Sequence, residues 1–108
     1  MTGTLGWPRK VPIEELDYIL DWTPLLADSE TVSLTAWAIS PATLINDDDE
    51  ITIVDVVDNG VTIAAGKATR IWLSAGVVDT DYELVNTITT SGGRVLERTV
   101  HITVTEKL

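Results

Sequence analysis

The stretch that decides the fold runs from Asp81 to Val104 and reads DYELVNTITTSGGRVLERTVHITV. β-Branched residues fill its first half, and apolar residues alternate with polar ones through its second half. A period of two places one set of side chains on a core and the other in water, as in a β-strand. The two central glycines can supply the positive φ angles of a tight turn. The stretch therefore predicts two long antiparallel strands joined by residues 91–94.

The same alternation assigns an inward face to both strands. The inward residues are Tyr82, Leu84, Asn86, Ile88, Leu96, Val100, Ile102 and Val104. Arg98 shares this apolar face, and an inward arginine must be paired with a carboxylate or emerge at an end of the sheet. The candidate carboxylate partners are Asp55, Asp81 and Glu83.

The rest of the chain reads as further short strands with turn residues between them. A helical turn over residues 23–28 is predicted, with Thr23 as its cap and Pro24 at its first position. Asp58-Asn59-Gly60 predicts a hairpin turn. The other predicted strands span residues 15–22, 31–40, 43–45, 50–58, 61–65 and 68–74.

About seven strands with almost no helix indicate a two-sheet sandwich or a small barrel. Tyr82 opens a strand just after a loop, with Leu84 two residues on, which matches the tyrosine corner of immunoglobulin-like sandwiches. The cysteine pair of antibody domains is missing, since the chain has no cysteine. We therefore predict an all-β, immunoglobulin-like two-sheet β-sandwich of about seven strands.

The 108 residues predict one sandwich domain over residues 13–108, preceded by an extended N-terminal arm over residues 1–12. Glycine and proline interrupt the arm, yet it carries apolar side chains. Trp7 either folds back on its own domain or anchors the arm on a neighbouring subunit, where aromatic residues are favoured. The predicted protein-interface residues are Leu5, Trp7, Val11 and Ile13.

Charge and hydropathy exclude several classes of partner. Seven basic and seventeen acidic residues give a formal net charge of −10, which repels nucleic-acid phosphates and anionic membranes. No apolar run approaches the roughly 20 residues that a membrane-spanning helix needs. The N-terminus has no apolar core of signal-peptide length, so we expect synthesis in the host cytoplasm without a signal peptide.

The sequence offers no catalytic constellation. His101 is the single histidine, and the alternation places it on the polar face of the last strand. A general base needs an adjacent nucleophile, and cysteine chemistry is impossible without cysteine. We therefore predict a protein that is not an enzyme and has no cofactor.

Two binding hypotheses stay open at this stage. The run from Asn46 to Glu50 could offer carboxylates to calcium, although EF-hand spacing is absent and such a loop is usually only solvated. Tryptophan faces could form a sugar-binding platform, although the four tryptophans are scattered along the chain. They are Trp7, Trp22, Trp37 and Trp72. We predict no metal site.

Several segments resemble small bacteriophage virion proteins of the fibre-to-tail adaptor family. The resemblance covers most of residues 10–105 and departs from the family over residues 1–10 and 46–66. Where the family has a second glycine after its W-L-S motif, this chain has Ala75-Gly76. The matching positions are Asp17-Tyr18, Asp21-Trp22, Leu26-Ala27-Asp28, Ile71-Trp72-Leu73-Ser74, Ile88-Thr89-Thr90, Gly93-Arg94 and Glu97-Arg98.

The resemblance implies a phage virion structural protein that joins tail or neck components to fibres through protein–protein contacts. It also implies assembly with other virion proteins as a homo-oligomer. Two alternatives remain: a capsid decoration (cement) protein of the same sandwich class, and a carbohydrate-binding sandwich module.

Overall fold

The computed structural model describes residues 4–7 and 9–106. The described chain is built from nine strands, with a single 3₁₀ turn at Thr23–Leu25. The predicted all-β class is therefore confirmed. The strands are β1 (Thr4–Gly6), β2 (Leu16–Asp21), β3 (Val32–Ser40), β4 (Leu44–Ile51), β5 (Val56–Asp58), β6 (Val61–Ile63), β7 (Ala68–Ala75), β8 (Thr80–Thr90) and β9 (Val95–Val104).

Two sheets face each other across the core, and the predicted sandwich is confirmed. One sheet has the strand order β1-β9-β8-β3 and the other has β2-β7-β4, while β5 and β6 form a separate two-stranded sheet. The pairings are antiparallel except that of β1 with β9, which is parallel. Both large sheets contribute buried side chains to the core between them, including Tyr18, Leu44, Ile71, Leu84 and Ile102.

The closing hairpin forms as the sequence predicts. β8 pairs with β9 from Thr80 opposite Val104 to Thr89 opposite Val95. All the predicted inward residues are buried except Leu96, which is half-buried and packs against the core. The prediction of two positive φ angles in the turn is wrong, because only Gly93 has one, at 84°. Gly92 instead lets the backbone of the turn lie close to Glu30, since a Cβ there would lie 3.0 Å from a carboxylate oxygen of Glu30.

A buried polar network ties the two sheets together. The Trp22 indole Nε1 donates to Asn86 Oδ1 and Thr69 Oγ1, both at 3.1 Å, and the Thr69 hydroxyl donates to Asn86 Oδ1 at 2.7 Å. Asn86 Nδ2 donates to Thr35 Oγ1 at 2.8 Å and to the Ala36 carbonyl at 2.9 Å. Asn86 is 0% exposed and has partners for both its oxygen and its nitrogen. Satisfied buried amides of this kind fix one packing arrangement.

The largest correction concerns the acidic segment in the middle of the chain. Residues 46–50 were predicted as a loop, with strands at 43–45 and 50–58. The structure instead forms the single strand β4 over Leu44–Ile51, with a bulge between Asn46 and Asp48. β4 lies at an edge of its sheet, so its carboxylates reach solvent while its backbone pairs with β7. Consecutive carboxylates are thus compatible with a strand when that strand is exposed.

Two smaller expectations were also wrong. Thr23 does not cap the 3₁₀ turn; its N–H instead donates to the Asp21 carboxylate at 2.9 Å. In β3, strict alternation would place Leu34 on the same face as Val32, but a register irregularity lies between the two residues. Val32 is therefore buried, whereas Leu34 is 65% exposed.

Tyr82 makes the contacts expected of a tyrosine corner. Its hydroxyl oxygen accepts from the Val77 backbone N–H at 2.7 Å and shares a 2.6 Å hydrogen bond with Thr43 Oγ1. The immunoglobulin-like assignment of the sandwich itself remains a prediction.

Candidate protein interface

The N-terminal segment, assigned to an arm by its sequence, packs on its own domain. β1 pairs with β9, placing Leu5 opposite Val100, and the Trp7 N–H donates to the His101 carbonyl at 3.0 Å. The Trp7 ring stacks on Tyr18 with 4.8 Å between centroids and 14° between planes. This is the first of the two arrangements considered for Trp7. The docking role of the segment remains a prediction, as does its status as a separate arm.

The other two predicted interface residues lie on a turn. The Val11 N–H donates to the Glu14 carboxylate at 2.8 Å, and the Glu14 N–H donates to the Val11 carbonyl at 3.0 Å. Val11 is half-buried, whereas Ile13 at the tip of the turn is 94% exposed. Among Trp7, Val11 and Ile13, whose side chains the structure describes, Ile13 is thus the most exposed to solvent.

Lys10 fastens this turn to the sandwich, which the sequence did not reveal. Its side chain is buried, and Nζ donates to the carbonyls of Ala75 at 2.7 Å, Val11 at 2.9 Å and Pro12 at 3.3 Å. Burial lowers the pKa of Lys10, and the nearby carboxylates of Glu14 and Asp47 oppose that shift. No local sequence signal marks a lysine that binds three carbonyl groups.

Two edge strands, β3 and β4, lie on one side of the sandwich. Residues 41–43 join them, and the strands contact each other although they belong to different sheets. β3 has nine residues and contains no charged residue, glycine or proline. Its outward side chains Ala36 and Ala38 are exposed, as is Leu34. β3 is therefore an open sheet edge without the usual protection.

β4 carries the acidic run beside that edge. Asp47 and Asp48 are exposed, and Asp49 accepts a hydrogen bond from Asn46 Nδ2 at 2.8 Å. Glu50 pairs with Arg70 at 3.1 Å. Among the residues that the structure describes, no group of three acidic or histidine side chains is placed to hold a metal ion. The calcium hypothesis therefore gains no support from the geometry of this strand.

The β5–β6 hairpin presents a second exposed surface, which is apolar. Asn59 and Gly60 adopt φ angles of 51° and 78°, so the predicted hairpin turn is confirmed. Four large aliphatic side chains on the hairpin and the segment before it are exposed: Ile53 (86%), Val54 (63%), Val57 (67%) and Val61 (57%).

A network of charged side chains closes the end of the sandwich at the hairpin turn. The Glu30 carboxylate accepts from the Arg94 guanidinium, the Thr90 hydroxyl and the Ala27 N–H, and Arg94 also donates to the Leu25 carbonyl. These contacts, led by the hydrogen bond from Arg94, lower the pKa of Glu30 to about 2. An open groove of about 750 Å³ lies over the network, lined by Pro24, Leu25, Leu26, Ser91 and Gly92 among others.

The remaining candidate residues are the four tryptophans, His101 and Arg98. Trp22 is 0% exposed and the other three tryptophans are half-buried, so the hypothesis of a sugar-binding platform gains no support from their exposure. His101 lies on the polar face, as predicted, with Nε2 3.4 Å from a Glu83 oxygen. None of the ion pairs of the described residues joins Arg98 to a carboxylate. Its guanidinium lies 6.0 Å from the Trp22 ring centroid instead, so the predicted carboxylate pairing is wrong.

The family model of the podophage GP4 fiber-tail adaptor protein gp77 matches residues 10–103. The chain belongs to this family. This match confirms the resemblance seen in the sequence and the prediction of a phage virion structural protein. No curated protein matches the chain. No helix within the described residues is long and apolar enough to span a membrane.

The positions that carry the resemblance to fiber-tail adaptors mostly build the fold. Trp22 belongs to the core network, Asp21 holds the 3₁₀ turn, and Thr90 and Arg94 bind Glu30. These side chains make their hydrogen bonds within the domain. Exposed surfaces among the described residues include the β3 edge, the acidic strand β4, the β5–β6 hairpin and Ile13.

Proposed function

We propose that this chain joins tail or neck components of a podophage particle to its fibres by protein–protein contacts, without catalysis. The observation that carries the proposal is the adaptor-family match over residues 10–103. The small rigid sandwich suits a part that is used in several copies. Symmetric repetition of one domain turns modest contacts into a stable ring.

The particle itself supplies the decisive test. Copies of the chain in purified virions would be counted by quantitative mass spectrometry, and their position found by labelling. An adaptor is expected in a number of copies set by the tail symmetry, on the order of tens. A number in the hundreds, with label over the capsid, would instead identify a decoration protein.

A second experiment tests the predicted role of the N-terminal segment. Deleting residues 1–12 is a poor test, because it would remove β1, Trp7 and the buried Lys10 from the domain itself. Ile13→Ser changes only an exposed side chain and should lower incorporation into particles while leaving the melting temperature unchanged. Val95→Ser is the matched control, since Val95 is 67% exposed at the start of β9, outside the candidate contact surfaces named above. Equal incorporation of both variants would refute a special role for Ile13.

A further inference from the structure

The sandwich has two edge strands on one side, β3 and β4, and they differ in how open they are to pairing with another chain. In the two large sheets of the described chain, the edge strands are β1, β2, β3 and β4. β1 has three residues, β2 carries Asp17 and Asp21, and β4 carries an acidic run and a bulge. Short length, charge and bulges each discourage pairing with another chain. β3 has none of these features apart from an irregularity at its first residues.

The free part of the β3 edge begins after Val32. The Val32 N–H donates to the Gly66 carbonyl at 2.8 Å, which occupies the start of the strand. From Leu34 to Ser40 the strand pairs with β8 on one side, and no strand of the described chain pairs with it on the other. Asn86 holds Thr35 and Ala36 from inside the core, so this edge is fixed in an extended conformation. An extended segment that joined it would gain a ladder of main-chain hydrogen bonds without reorganising the domain.

The neighbouring strand β4 selects the charge of that segment. Asp47, Asp48 and Asp49 lie on the edge strand that contacts β3, and none of them belongs to an ion pair in the described residues. Lysine or arginine side chains on an added strand would meet these carboxylates, and charge complementarity of this kind favours both encounter and specificity.

A second copy of this chain does not provide such a strand. Each copy has a net charge of −10, so pairing β3 with β3 of another copy would also bring two acidic β4 strands toward each other. The basic side chains are mostly committed: Lys10 is buried, Arg70 and Arg94 form ion pairs, and Arg98 lies over Trp22. A segment of a different protein therefore suits this acidic edge better than a second copy does.

We propose that the edge of β3 from Leu34 to Ser40 binds an extended, lysine- or arginine-bearing segment of a partner protein by strand addition, with β4 as its electrostatic guide. This inference rests on the proposed function in one respect only, namely that the partner is another virion protein. The contact is a property of the isolated domain, so a failure in solution leaves the particle position of the chain untouched.

The test is a titration of the ¹⁵N-labelled protein with a synthetic peptide of about eight residues in which lysine alternates with valine or threonine. Amide shifts should concentrate at residues 34–40 and 47–50, and binding should weaken as salt rises. The same peptide with glutamate in place of lysine is the control and should leave the spectrum unchanged.

Two variants and one control variant locate the contact. Ala36→Lys should weaken the lysine peptide at least about tenfold, because it puts a charge of the same sign on the edge, whereas Val61→Lys on the exposed β5–β6 hairpin should change binding little. The triple change of Asp47, Asp48 and Asp49 to Asn should weaken the lysine peptide and flatten its salt dependence. Thermal melting would first show that each variant is folded.

Three results would overturn the proposal. The first is equal binding of the glutamate and lysine peptides. The second is an absence of shifts in β3 at any peptide concentration up to roughly 1 mM. The third is a shift of the β3 amides with protein concentration alone, which would identify a second copy as the occupant.

Discussion

β3 and β4 are neighbours on one side of the sandwich, but they are held and protected in opposite ways. β3 is fixed from the core by the buried amide of Asn86 and has an uncharged open edge. β4 is held on its solvent-facing side by the half-exposed ion pair between Glu50 and Arg70, and carboxylates line its edge. The difference indicates that the domain protects one edge from pairing and leaves the other available.

The largest expected effect comes from the amide that fixes β3. Asn86→Ala would leave the Trp22 indole N–H, the Thr69 hydroxyl and the Ala36 carbonyl with fewer partners in a buried site. We expect a loss of about 2–4 kcal/mol in the free energy of unfolding, measured by urea denaturation. Hydrogen exchange should rise more in β3 than in β4. Equal acceleration in both strands would show that Asn86 does not hold β3 in particular.

The start of β3 should also respond to acid. Glu30 precedes β3, and its contacts with Arg94 and Thr90 lower its pKa from 4.5 to about 2. A carboxyl group with a lowered folded-state pKa stabilises the fold above its unfolded pKa, and this contribution is lost as the pH falls from about 4.5 toward about 2. The melting temperature of the wild type should therefore exceed that of Glu30→Gln at pH 7, and the two should converge near pH 2. A constant difference across this range would contradict the assignment.

A smaller effect is expected from the pair that holds β4. Arg70 contacts Glu50 at 3.1 Å and Asp17 at 3.3 Å, with carboxylate side chains 47% and 39% exposed. Solvent-exposed pairs of this kind contribute about 0.2–1 kcal/mol and weaken with salt. Arg70→Leu should lower the free energy of unfolding within that range at low salt and by less at high salt. A larger, salt-independent loss would mean that Arg70 acts mainly through packing.

The smallest effect should follow removal of the exposed hydrogen bond on β4. Asn46→Ala deletes the 2.8 Å contact with Asp49. Exposed substitutions of this type stay within about 0.5 kcal/mol, so the urea midpoint should barely move. A loss comparable to that of Asn86→Ala would remove the contrast between the two strands.

The closing hairpin could be predicted because its alternation is long and its neighbours agree with it. A period of two over β8 and β9 identifies their buried face. β4 could not be predicted in the same way. Its carboxylates are acceptable only at an exposed edge, and which strand becomes an edge depends on pairings far away in the sequence, here with β7.

The candidate interface shows the same limit. Trp7 and Ile13 could both be identified as apolar residues in an irregular segment, but their different exposures depend on Tyr18 and on Lys10. The open edge of β3 follows from strand order, which no local pattern specifies. By contrast, the family could be recognised from the sequence alone. Several of its motif residues lie in the core network or in the Glu30 cluster.

We propose that this adaptor-family domain works at a tail–fibre junction and binds a partner strand on β3. A reconstruction of the intact virion, at a resolution that separates strands, tests it most directly. We expect copies of the domain between tail and fibre, each with a strand of another protein hydrogen-bonded to Leu34–Ser40. Copies spread over the capsid, or a β3 edge facing only solvent at the junction, would contradict it.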